Sequence, residues 1–244
     1  MDPTRLAWLE QMLRFVPLLR ENVDPTTRRI RAARWSPRYQ YPCYTLAWLY
    51  RNPHPRNPYA GDRTLLDLAV ATCDALVASQ SPDGLFDDGT GSPSTVEWPC
   101  YYVAATLETL SDELDESHKR TWSEAVARYV EAVLGKPFLF TSPNHEAWRC
   151  ATLVRAGRVL GRADWIDQAL FMAGRLADLQ TPEGFWEEGR HHSVSTSYNT
   201  VMLDALFLLW TFTTDQTVRR AADRLAHFMT TWTHPDGGTC GCLD

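Results

Sequence analysis

The sequence predicts an all-α fold of helical hairpins arranged as an α/α toroid, on three observations. Leu (28) and Ala (25) together outnumber Val (14) and Ile (2) by 53 to 16 in a chain of 244 residues. β-Branched side chains lose rotamer freedom in helices and favour strands, whereas Leu and Ala are the strongest apolar helix formers. One turn recurs: Ser81-Pro82-Asp83-Gly84-Leu85-Phe86-Asp87-Asp88-Gly89 and Thr181-Pro182-Glu183-Gly184-Phe185-Trp186-Glu187-Glu188-Gly189 each follow a Gln, and His234-Pro235-Asp236-Gly237-Gly238 is a shorter version. With the weaker Gly135-Lys136-Pro137-Phe138, the four prolines stand 55, 45 and 53 residues apart, a period that fits two helices and their connections. Between these turns the apolar residues recur at helical spacing.

Taken in order, the expected helices cover 3–21, 38–51, 61–80, 97–113, 117–134, 144–160, 163–180, 196–213 and 215–232. The first stands alone. Pro42 interrupts the early part of the second and leaves its start open. The third stops at the turn after Gln80, and the fifth at Gly135. The sixth opens with Ser142 as a cap and Pro143 at the first helical position, the arrangement a helix start favours. The seventh ends at the turn after Gln180, and the eighth carries Met202, Ala205 and Leu209 on one face. The ninth opens at Thr214-Asp215. Nine helices make four hairpins after a leading helix, fewer than the five or six of a closed ring. The expectation is therefore one domain over 1–244, an incomplete or open toroid lacking C-terminal hairpins or a further domain.

Charge and cysteines exclude some classes. A formal charge of −6 argues against a general nucleic-acid or anionic-membrane binder, though not against a local basic groove. No apolar run reaches the roughly 18 residues of a membrane span. Cys43, Cys73, Cys100, Cys150, Cys240 and Cys242 show no zinc-type spacing, and buried free thiols are the expected state. Met1-Asp2-Pro3-Thr4-Arg5 does not open a signal peptide. Taken as written, the chain reads as cytoplasmic; as a fragment, it fits a periplasmic or secreted protein.

Three sets of residues carry chemistry. Gln180 to Trp186 fits the Q-x-x-x-G-x-W repeat of triterpene cyclases, where it clamps helix ends, but the acidic box of that family is missing. Asp87/Asp88 and Glu187/Glu188 offer a glycosidase's acid and base, or else simply solvated loop carboxylates. The sharpest set is Asn144-His145-Glu146-Ala147-Trp148 with Gly189-Arg190-His191-His192 and Tyr198-Asn199. Asn144 and His145 fall in the first turn of a helix facing the same mouth as the Pro-Gly turns. Read singly, Asn144 is a helix-end residue, Tyr198 a buried aromatic and Trp186 a packing anchor. Zinc on His145, His191 and His192 is conceivable but not demanded by their spacing.

Together, the Asn-His pair with its Trp at a helix start resembles the corresponding element of alginate-lyase-type polysaccharide lyases. The Arg-to-Tyr stretch one hairpin later resembles that family's second element, and heparinase-type lyases share the toroid. The resemblance covers about residues 140–212. Pro143 stands where the family has a first Asn, and the wording between Arg190 and Tyr198 differs. What it implies is β-elimination on a uronate-containing polysaccharide with no cofactor or metal, acting on an acidic polysaccharide or oligosaccharide rather than on nucleic acid or membrane. Asn144 and His145 would hold the sugar carboxylate, Tyr198 would move protons, and Arg190 would favour the phenolate. Trp148, Trp186 and Phe185 would stack on sugar rings, Arg149 and Arg190 would hold carboxylates, and His191 and His192 would contact substrate. The rivals are a toroid glycoside hydrolase and a non-catalytic helical-repeat binding protein.

Overall fold

The computed structural model describes residues 3–31, 42–87, 93–94, 97–189 and 193–233. Among them the chain is all-α, apart from two pairs of two-residue strands. It forms two compact units, Met1–Gly135 and Lys136–Asp244. The first contains α1 (Pro3–Asn22), α2 (Pro42–Arg51), α3 (Arg63–Val77), β1 (Phe86–Asp87), β2 (Pro93–Ser94), α4 (Trp98–Leu110) and α5 (Glu116–Leu134). The second contains α6 (Pro143–Leu160), α7 (Ala163–Asp178), β3 (Glu187–Glu188), β4 (Ser193–Val194), α8 (Thr196–Thr213) and α9 (Gln216–Thr231). The helices fall within a few residues of their expected bounds, and the strands were not expected.

The two units are built on one plan. In the first, α2 packs on both α3 and α4, and α4 on α5; in the second, α6 packs on both α7 and α8, and α8 on α9. The turn between hairpins is the same in each. Gln80 donates from Nε2 to the carbonyls of Gly84 (2.8 Å) and Ala125 (2.8 Å). Gln180 donates likewise to Gly184 (2.8 Å) and Ala221 (2.9 Å). Each Gln thus closes its own turn and ties it to the last helix of its unit. Gly84 and Gly184 both have left-handed backbones, and a Cβ on either would sit 2.5 or 2.6 Å from a carbonyl oxygen of that helix. Only glycine satisfies both demands. The repeat therefore spans two hairpins, Gln80 to Gln180, rather than the single hairpin of about fifty residues that the proline spacing suggested.

Each core is filled by Leu, Ala and Val with a few large aromatics. Trp122 and Tyr129 are buried in the first unit, Trp165 and Trp186 in the second. Cys43, Cys73, Cys100 and Cys150 are buried and not in disulfides, as expected, and Cys240 and Cys242 lie outside the described residues. No helix among the described residues is long and apolar enough to cross a membrane.

Candidate active site

The second unit contains a cleft of about 270 Å³ lined by Thr141, Ser142, Asn144, His145, Glu188, Gly189, Ser195 and Tyr198. Two helix starts and one strand build it. Pro143 occupies the first position of α6 behind Ser142, so Asn144 and His145 follow in its first turn. Ser142 makes no side-chain cap bond, unlike Ser195, whose hydroxyl accepts from the Tyr198 N–H at the start of α8. Both helices turn the positive ends of their dipoles toward this region.

Asn144 is 3% exposed, and its Oδ1 has no hydrogen-bond partner. A buried amide oxygen left unpaired is costly, and this one lies at the cleft wall. Tyr198 is 51% exposed, so the ring stands in the cleft and not in the core. Its neighbour Asn199 is fully buried and clamps Trp186, accepting from that residue's N–H (2.9 Å) and donating to its carbonyl (3.0 Å). This joins the turn to the start of α8.

In the sequence, Glu188 is only half of an acidic pair. Strand β3 separates that pair, because alternate side chains point to opposite faces: Glu187 is exposed and Glu188 is 7% exposed. Glu188 accepts from the Asn144 N–H at 3.4 Å. Burial pushes its carboxyl up to about 7, against the opposing pull of that N–H and of His145. It is therefore a group that exchanges its proton near neutral pH.

The other expected contacts divide. Arg190, His191 and His192 lie outside the described residues. Trp186 is 1% exposed and donates its indole N–H to the Leu176 carbonyl at 2.8 Å, which makes it a core anchor and not a sugar platform. Trp148 is buried with its indole N–H on the Val201 carbonyl at 3.1 Å. Arg149 is 3% exposed and pairs with the likewise buried Glu146 at 3.1 Å, so it lies in the core and away from the cleft surface. Phe185 packs on Phe228, with ring centroids 4.8 Å apart. Among the described residues no three His, Cys, Asp or Glu side chains gather as metal ligands.

No family model matches the chain, and no curated protein matches it in sequence. In structure it is similar to the chondroitin AC lyase of Streptomyces coelicolor A3, solved as a tyrosine-to-alanine mutant, with a TM-score of 0.68 at 20% identity. The likeness covers 100% of this chain and 35% of that one, so the chain spans about a third of the lyase's length. What this likeness shows is the fold: the chain is an all-α protein of helical hairpins, of the α/α-toroid class.

Proposed function

We propose that the cleft is the catalytic site of a polysaccharide lyase that cleaves a uronate-containing, acidic polysaccharide by β-elimination. The observation that carries this reading is the meeting, in one cleft, of the unpartnered buried Asn144 oxygen, His145 and the exposed Tyr198. Elimination removes the C5 proton, forms the C4–C5 double bond and expels the O4 leaving group with a proton. The C5 proton is poorly acidic while the adjoining carboxylate is charged, so the site must neutralise that charge. Asn144 and His145, with two helix starts behind them, supply hydrogen bonds and positive potential for the carboxyl and for the enediolate-like charge that develops. Asn144 Oδ1, an acceptor, suits a protonated sugar carboxyl, and Glu188, which exchanges its proton near neutral pH, can share one with it. Tyr198 takes the C5 proton and returns one to O4. Arg190, from the Arg-to-Tyr element, is assigned to favour its phenolate. The likeness to a lyase structure supports the reaction class, and the Asn-His…Trp and Arg-to-Tyr elements support the alginate-lyase and heparinase type within it.

A hydrolase needs two carboxyls flanking the scissile bond. Glu188 is the one carboxylate among the described cleft residues, since Glu187 faces away. The decisive assay offers a panel of uronate polysaccharides and follows ultraviolet absorbance from the conjugated double bond. Tyr198→Phe should lower its rate at least about a hundredfold, the range of a lost proton-transfer group. New reducing ends without that absorbance would assign hydrolysis instead.

A further inference from the structure

Beside the cleft, the segment between α5 and α6 displays an aromatic pair. Phe138 and Phe140 stand with ring centroids 5.1 Å apart. Arg175, from the last turn of α7, lays its guanidinium over both rings, 4.8 Å from the Phe138 centroid and 5.3 Å from that of Phe140. Phe140 is nevertheless 56% exposed, Arg175 is exposed as well, and no carboxylate among the described residues pairs with it.

This display is held from beneath. Buried Glu146 accepts from the Leu139 N–H at 2.9 Å, and its partner Arg149 reaches the carbonyls of Lys136 and Pro137 at 3.5 Å. The next residue, Thr141, lines the cleft, and its carbonyl accepts from the Gly189 N–H at 2.9 Å. The aromatic pair is thus continuous with the cleft wall and fixed to the same helix that presents Asn144. In a chain of net charge −6, an exposed cation without a carboxylate partner at this place favours an anionic ligand.

We propose that Phe140 and Arg175 form an accessory saccharide subsite that holds the sugar next to the one in the cleft. The C–H face of a uronate ring stacks on Phe140, and the carboxylate takes the free N–H groups of Arg175. The guanidinium, already oriented by the two rings, loses little freedom on binding. The subsite rests on the lyase reading for the identity of its ligand, an acidic polysaccharide, and needs no turnover of it.

The test is a binding measurement on the intact chain. Dissociation constants are obtained by calorimetry for a uronate polysaccharide and for the isolated monosaccharide uronate, with wild type, Phe140→Ala and Arg175→Ala. Thermal unfolding is followed alongside. The expected result is a five- to twentyfold weaker polymer constant for each variant, an unchanged monosaccharide constant and an unchanged melting temperature. Equal polymer affinity in all three proteins overturns the subsite and leaves the lyase reading intact. Weakened polymer binding without ultraviolet absorbance from wild type overturns the elimination and leaves the subsite standing. A wild type that binds no uronate polymer overturns both.

Discussion

At Glu188, burial raises the carboxyl while a helix N–H and His145 pull it down, and burial wins. The consequence for stability has a definite sign. A carboxyl whose folded-state pKa, about 7, lies above the ordinary 4.5 favours folding most when protonated. That contribution is complete below about pH 4.5 and is lost as pH rises through 7. Glu188→Gln keeps the shape without the charge. It should gain on the wild type by on the order of 2 kcal/mol between about pH 5 and pH 8, read from denaturant unfolding at the two values. Equal pH dependence of the two proteins would show that Glu188 titrates normally. Asn144, His145 and Tyr198 were legible in the sequence because a helix start can be read from Ser142-Pro143, and because their residue types carry chemistry. Glu188 was not, since its inward aim depends on a two-residue strand that no local pattern announces. Trp186 and Arg149 were misplaced for the converse reason. Their chemistry suits a sugar, but their burial is decided by packing against partners in neighbouring elements, Leu176 and the Lys136–Pro137 carbonyls.

At the scale of elements, the repeated turn is the most constrained piece of the fold. Gly184 combines a φ of +104° with an approach that leaves no room for a side chain. Gly161 ends α6 with a φ of +67° but with open space around it. Gly184→Ala should therefore cost about 2–4 kcal/mol, strain plus overlap, whereas Gly161→Ala should cost about 1 kcal/mol from strain alone. Chemical denaturation of the two variants separates them, and equal losses would mean that the contact with α9 is not tight. The turn itself was plain from Gln-x-Pro-Asp/Glu-Gly, and so were the helices on either side. Pro137 was counted with Pro82 and Pro182 although its turn is of another kind, and the turn at Pro235 lies outside the described residues. Around Gly135 there is no glutamine to bridge a turn to a distant helix, so similar punctuation hides a different connection.

Across the whole molecule, two units share a plan, and the candidate cleft lies in the second. Pro42 opens α2 as Pro143 opens α6, yet the next residue in the first unit is Cys43, fully buried beside Thr106 at 3.4 Å. Cys43→Ala should cost about 1–2 kcal/mol as a small cavity and leave the elimination rate within about twofold. Asn144→Ala should lower that rate by about a hundredfold or more, as loss of one stabilising hydrogen-bond group does. Parallel melting curves and ultraviolet assays read both, and a catalytic loss in Cys43→Ala would mean that the first unit takes part. The all-α class was legible from residue counts alone; that the candidate cleft falls in the second unit was legible only from residue types at matched positions. Proline has no N–H, so Asn144 carries the first one that α6 can offer, and Glu188 already takes it. An arriving uronate brings a second negative charge to that end, and two adjacent anions do not both stay ionised. Docking should then draw a proton from solution, roughly 0.5–0.8 per site at about pH 7.5, counted from calorimetric heats in buffers of unlike ionisation enthalpy. Mild acidity would tighten the grip on the polymer, and the release of each cut chain would return the proton to the medium.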